Sequence, residues 1–214
     1  MNSAVIVAGG SGDRFGKEIP KQFIQIHGQE ILSFPVKTFL QHPKIDEVII
    51  VSHPDWVDHV ASQYSECHVV LGGKCRQESS LNGVTATSAE SINVLIHDAA
   101  RPFVTEEIIS DCLSALTNHD GSAPIIPATD SLIKWNGQKA HFEERSDIQI
   151  VQTPQCFKKQ FIIDILESDI SGTDEIGMLL RLYPESKVKF IEGNIDNIKI
   201  TTQNDLHYFN KTII

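Results

Sequence analysis

Apolar positions gather in short, nearly unbroken runs at residues 4–8, 48–52, 68–71, 94–97, 124–127 and 188–191. Runs this short, several without polar alternation, predict strands covered on both faces. Between them the apolar residues take helical spacing, as in Ile31-Leu32, Val36 and Phe39-Leu40, and again in Ile108-Ile109, Cys112-Leu113 and Leu116. Strands alternating with helices imply a Rossmann-like α/β fold: a mostly parallel sheet, right-handed crossovers and helices on both faces. Such sheets present ligand-binding groups at the carboxyl ends of their strands.

One segment breaks the alternation. Residues 130–155, rich in polar and charged side chains, carry Asn136-Gly137 between two short runs, a strong hairpin signal. They predict a β-arm at about 130–150 that projects from the domain as a partner or lid element. With no internal repeat and no dividing linker, the expectation is one domain over residues 1–214 plus this arm.

Charge narrows the ligand. Lys and Arg number 18 against 28 Asp and Glu, a net charge of −10, which argues against a nucleic-acid surface. Any anion must be held by locally placed groups. No apolar run reaches membrane-spanning length and no leader pattern opens the chain, so a soluble cytoplasmic protein is expected. Cys67, Cys75, Cys112 and Cys156 are scattered, without the spacing of a zinc site or a disulfide framework, and buried reduced thiols are expected.

The first apolar run leads into AGGSGDRFGKEIPKQ, residues 8–22. A dinucleotide fingerprint fails there, because Gly10, Gly12 and Gly16 are spaced G-x-G-x-x-x-G, and a Walker A loop fails at Ser11 and Glu18. A glycine-rich turn remains whose backbone N–H groups can face an anion, with Arg14 and Lys21 supplying charge. The same glycines would also serve a plain tight turn.

The other motifs decide between these. GGKCRQESSLNG at 72–83, HDAARPF at 97–103, QTPQCF at 152–157, TDE at 173–175 and GNIDNIKITTQNDL at 193–206 follow the loop in order. Together they resemble the 2-C-methyl-D-erythritol 4-phosphate cytidylyltransferases and the related ribitol 5-phosphate cytidylyltransferases, from residue 4 to about residue 210. The resemblance implies CMP transfer from CTP to a polyol phosphate, with Mg²⁺ as cofactor. It assigns Arg14, Lys21 and Lys199 to the reacting phosphates, and Ala8, Gly9, Gly10, Gly12, Gly72, Gly73, Ser79 and Asp98 to the nucleotide. Arg101, Arg145, Thr153, Thr173 and Asp196 fall to the acceptor, Asp98 and Asp196 to the metal, and the arm to a homodimer in which Arg145 reaches the acceptor phosphate across the interface.

Several readings stay open at this level. Lys199 lies in a β-like run where an edge-strand lysine would snorkel. Arg76 either contacts the base or buttresses its loop, Arg145 is otherwise a surface arginine beside Glu143 and Glu144, and His97 reads as structural. Gly177, Lys74-Cys75 and Glu143-Glu144 depart from the family pattern. The resemblance implies methylerythritol phosphate as the acceptor, for isoprenoid precursor synthesis, with ribitol phosphate as the alternative. A nucleotide-binding regulator without turnover is the rival of another class, against which the full cation set speaks.

Overall fold

The computed structural model describes residues 1–10 and 19–212. The chain begins with β1 (Asn2–Ala8), β2 (Gln25–Ile26), β3 (Gln29–Glu30), α1 (Ser33–Gln41), β4 (Glu47–Ser52), α2 (Val57–Gln63) and β5 (His68–Leu71). It continues through α3 (Arg76–Thr85), β6 (Asn93–Asp98), α4 (Glu106–Ala115), β7 (Gly121–Pro127), β8 (Leu132–Trp135), β9 (Ala140–Glu143) and β10 (Gln149–Val151). It ends with β11 (Gln155–Lys158), α5 (Lys159–Leu166), α6 (Glu175–Leu182), β12 (Val188–Glu192) and α7 (Gln203–Thr212).

Strands β10-β7-β11-β6-β1-β4-β5 form one sheet in that order, and β12 joins it against β7. β1 runs parallel to β4 and β6, β4 to β5, and β12 to β7. The antiparallel pairs are made by β10 and β11. The unbroken apolar runs follow from burial on both faces. In β1, Ala4, Ile6 and Ala8 pack with Val36, Phe39, Val60 and Ile109 from α1, α2 and α4, while Val5 faces Val84, Ile162 and Leu179 from α3, α5 and α6.

Three local features go beyond or depart from the sequence reading. β11 reads Gln-Cys-Phe-Lys, too short and too polar at its ends to signal a strand, yet it inserts between β6 and β7 with Cys156 and Phe157 fully buried. Ile31 and Leu32 precede α1 instead of lying in it, because the apolar stripe extends into the lead-in turn. The arm is present as the β8–β9 hairpin, but four residues connect its strands: Asn136 Oδ1 accepts from the N–H of Gln138 at 3.0 Å and of Lys139 at 2.9 Å, and Gly137 takes φ +92°. Side chains alternate across a strand. Ile133, Trp135 and Phe142 therefore share one face of the hairpin, and all three are exposed.

Candidate active site

At the carboxyl ends of β1, β4, β5 and β6 opens a cleft of about 870 Å³. Ala8, Gly9, Gly10, Lys21, Gly72, Gly73, Ser79, Asp98 and Lys199 all line it. The sequence motifs that carry them, spread from residue 8 to residue 199, thus meet in one place. Arg14 and Gly12 lie outside the described residues.

Lys21 opens a 3-10 turn, Lys21–Phe23, that is clamped from two sides. The buried Gln22 amide donates to the carbonyl oxygens of Ala8 at 2.6 Å and Gly10 at 2.9 Å, so both ends of the glycine loop are fixed to one side chain. Phe23 stacks on Trp56 with ring centroids 4.5 Å apart, and burying such a ring contributes about 2–3 kcal/mol. Lys21 is thereby delivered to the cleft by a rigid turn.

The opposite wall is built by α3. Gly83 sits where a Cβ would come within 2.4 Å of Val5 and 2.6 Å of Val51, so only glycine lets this helix pack so closely on β1 and β4. Close packing brings Ser79 Oγ within 3.0 Å of the Gly73 N–H that it accepts from, while donating to Cys75 carbonyl at 2.9 Å. A side chain on Gly72 would crowd Ser79 Oγ at 3.2 Å and the Ser52 carbonyl at 3.3 Å. Lys74 and Cys75 are accommodated by an N-terminal cap: Cys75 Sγ accepts from Glu78 N–H, and the Glu78 carboxylate accepts from Lys74 N–H.

Asp98, the last residue of β6, is the electrostatic centre. Its carboxylate lies 2.8 Å from Lys199 Nζ, 3.4 Å from Arg76 Nη2 and 3.6 Å from Arg101 Nε. Burial alone would raise this carboxyl, but Arg76, Lys199 and Arg101 outweigh it and hold Asp98 well below the usual carboxylate range. Burial lowers the Arg101 guanidinium against the pull of Asp98. It would lower Arg76 too, but Glu175 and then Asp98 more than offset it and the guanidinium is raised. His97 is structural, as its sequence position suggested. It is fully buried, sits 3.0 Å from both the Arg101 carbonyl and Thr153 Oγ1, and burial pushes it down to about 4.

The segment carrying Lys199 is not a strand, so the edge-strand reading fails. Ile200 N–H reaches the Ala100 carbonyl at 2.8 Å, but the next N–H groups, of Thr201 and Thr202, turn to the Asp205 carboxylate at 2.8 and 2.7 Å, which ends any ladder. For Arg76, of the two roles left open, the geometry supports the buttress: Nη1 is 2.5 Å from Glu175 and Nη2 faces Asp98.

The residues assigned to the acceptor do not line the cleft. Arg101 lies beside it, donating to the Asn197 carbonyl at 2.8 Å. Thr153 is buried behind Asp98, accepting from the Asp98 N–H at 3.2 Å. Thr173 is exposed at the start of α6, next to Asp174, whose carboxylate accepts the Gly177 N–H at 2.8 Å. A Cβ at Gly177 would meet only ordinary contacts, so the usual serine would fit. Arg145 donates to the Thr129 carbonyl at 2.9 Å and, among the described residues, pairs with neither Glu143 nor Glu144.

Metal assignment needs a change. Asp196 is exposed, does not line the cleft and accepts from Tyr208 Oη at 3.0 Å, so Asp98 is the one carboxylate of the assigned pair that lines the cleft. Among the described residues no group of three or more His, Cys, Asp or Glu is placed to hold a metal. A single carboxylate completed by triphosphate oxygens and water suits Mg²⁺, so Asp98 fits the ion. Three other expectations can be set beside the structure. Cys112 and Cys156 are buried, whereas Cys75 is exposed and lines the cleft. His53, Gln22 and Thr201 also line it without having been assigned; Gln22 and Thr201 sat inside quoted motifs, while His53 follows an ordinary strand and gave no signal. Among the described residues no helix is long and apolar enough to cross a membrane.

Comparison with known proteins agrees with the geometry. Residues 2–213 match the family model described as 2-C-methyl-D-erythritol 4-phosphate cytidylyltransferase. An enzyme of that name from Clostridium botulinum (strain Okra / Type B1) is 41% identical, covering 96% of this chain and 94% of its own length. The Haemophilus influenzae bifunctional ribulose 5-phosphate reductase/CDP-ribitol pyrophosphorylase is 33% identical over 98% of this chain, which spans 48% of that protein. The crystal structure of 4-diphosphocytidyl-2C-methyl-D-erythritol synthase from Anaerococcus prevotii superposes with a TM-score of 0.89 at 28% identity, covering 99% of this chain and 95% of that one.

Proposed function

Since the chain belongs to the 2-C-methyl-D-erythritol 4-phosphate cytidylyltransferase family, we infer that it is the transferase which joins CMP from CTP to 2-C-methyl-D-erythritol 4-phosphate, a step of isoprenoid precursor synthesis. The observation that carries the reading is the meeting of the glycine loop, Lys21, Asp98 and Lys199 in one cleft, in a chain matched by the family model almost end to end.

In the reaction an acceptor phosphate oxygen forms a bond to the α-phosphorus of CTP as the bond from that phosphorus to the α–β bridging oxygen breaks, and pyrophosphate departs. A phosphate monoester with a second pKa of about 6 is largely a dianion at neutral pH, so no side chain has to remove a proton. Positioning and positive charge remain as the protein's tasks. Lys21, with Arg14 from the loop, binds the triphosphate and meets charge growing on the α- and β-phosphate oxygens. Lys199 joins them when it leaves Asp98 for phosphate. Gly72, Gly73 and Ser79 receive cytosine and ribose through backbone groups and the Ser79 hydroxyl. Asp98 would hold Mg²⁺, which when bound would supply charge neutralisation to the triphosphate.

The acceptor side lies toward Arg101, Thr173 and the arm. The exposed face of Ile133, Trp135 and Phe142 supports a homodimer clasped through the hairpin, with Arg145 carried to the partner's site, where its guanidinium fork matches a phosphate. A cytoplasmic location suits an enzyme of free nucleotides and sugar phosphates.

A second reading has its own observation: the similarity to a protein with CDP-ribitol pyrophosphorylase in its name supports ribitol 5-phosphate as acceptor. Pyrophosphate release measured with each of the four nucleoside triphosphates and both acceptors separates these. CTP with methylerythritol phosphate should be turned over fastest. Faster turnover of ribitol phosphate would move the chain to the second reading, and binding of CTP without release from either acceptor would make it a regulator.

A further inference from the structure

Glu175, the first residue of α6, is fully buried, and no role in the reaction has been given to it above. Its Oε1 accepts from Arg76 Nη1 at 2.5 Å and Ser80 Oγ at 2.7 Å, while Oε2 has no hydrogen-bond partner among the described residues. A carboxylate so placed carries a desolvation cost that a neutral glutamine of the same shape would avoid. The charge has a consequence at the other end of Arg76. That guanidinium stands between two carboxylates, 2.5 Å from Glu175 but 3.4 Å from Asp98. Attraction to the nearer one holds it back from the other.

We propose that Glu175 is a positioning residue, which by anchoring Arg76 to α6 keeps that guanidinium from closing on the Asp98 carboxylate that would receive the divalent cation accompanying the nucleotide. This rests on the reading of Asp98 given above. Asp98 already faces Lys199 and Arg101. In Glu175→Gln, Arg76 closes on Asp98 as a bidentate fork, the arrangement carboxylate and guanidinium prefer. The cluster then gains one net positive charge next to the cation site. The two ligands respond in opposite directions: the cation is repelled and its carboxylate occupied, while an anionic triphosphate is attracted. Loss of a fold anchor would weaken both alike. The same tie links α3, which carries Ser79, to the helix that begins beside Thr173, so the nucleotide wall and the acceptor side share one buried ion pair.

The test is a titration of the full-length protein with Mn²⁺, followed by the electron paramagnetic resonance of free Mn²⁺, in the presence of α,β-methylene CTP. Binding of the analogue in excess chelator is measured alongside. Glu175→Gln should loosen Mn²⁺ about tenfold while the metal-free analogue binds as tightly as to the parent or tighter. Unchanged Mn²⁺ affinity, or equal weakening of both ligands, would overturn the proposal. The double variant Glu175→Gln/Arg76→Met removes the charged pair together and should hold Mn²⁺ within about threefold of the parent. A tenfold loss there would also overturn it, whether or not the single variant folds. If the parent itself takes up no Mn²⁺ with the analogue, the cation reading of Asp98 fails, and this proposal with it; failure of the proposal alone shows in variants that bind Mn²⁺ as the parent does.

Discussion

Asp98→Asn removes the charge on which three cations converge while keeping the side chain's shape. Its cost can be worked from the surroundings. Arg76 retains Glu175 at 2.5 Å, and Lys199, whose side chain is 37% exposed, turns to water, so neither loses the full value of a buried pair. Arg101, at 11% side-chain exposure, keeps the Asn197 carbonyl but, among the described residues, no carboxylate. Breaking a buried pair costs about 3–5 kcal/mol, and with those discounts about 2–4 kcal/mol is expected here. For a chain of this size that lowers Tm by roughly 5–15 °C. Because the folded-state pKa of Asp98 is depressed, its stabilisation is complete above the unfolded value of about 4 and disappears only as pH falls through the lower folded value. The gap between variant and parent should therefore be the same at pH 7 and pH 5. Activity should fall further than stability: loss of the carboxylate proposed to hold Mg²⁺ is expected to lower kcat/KM at least a hundredfold, about 3 kcal/mol. Thermal melts at both pH values and pyrophosphate release at 25 °C measure these effects. A variant with the parent's Tm and kcat would show that the cluster neither supports the fold nor serves the reaction.

Other outcomes follow from the same geometry. Lys21→Ala should lower kcat by about two to three orders of magnitude with an unchanged Tm, since the lysine acts on charge that develops at the transition state and the turn is held by Gln22 and Phe23; a near-normal kcat/KM would reduce the loop to a turn. His97, lowered to about 4 in the fold, binds a proton more readily when unfolded, so stability should rise by roughly 3 kcal/mol from pH 4 to pH 6.5 on its account. Melts of a His97→Gln variant should lack that part of the slope. Phe142→Lys should give a monomer by sedimentation, whereas Arg145→Lys should keep the dimer, raise KM for the polyol phosphate and spare CTP. Mixing Arg145→Lys with Lys21→Ala subunits should restore some activity, and none above the parents would place Arg145 outside the partner's site.

The sheet was largely legible in the sequence because burial on both faces leaves continuous runs, as Ile49, Ile50 and Val51 show in β4. β11 was not, since its place between β6 and β7 depends on partners far away in the chain. At the site, Lys21, Asp98 and Lys199 were legible through motif order, but their mutual placement was not: a 2.8 Å contact between residues 98 and 199 leaves no trace in either motif. Asp196 shows the other side of this: its motif says nothing of where its carboxylate points. In the fold that carboxylate accepts from Tyr208, away from the cleft lining. Glu175 stood inside a quoted motif, and its burial, which gives it meaning, is visible only in the fold.

The central claim is that the cleft over β1, β4, β5 and β6 holds the nucleotide whose α-phosphorus is attacked. A crystal structure of the protein with α,β-methylene CTP and Mg²⁺ tests it most directly. Cytosine should lie against Gly72, Gly73 and Ser79, with the triphosphate within hydrogen-bond reach of Lys21 and Lys199 and the Mg²⁺ on Asp98. A nucleotide bound elsewhere, or one whose phosphates point away from Lys21 and Asp98, would contradict the account.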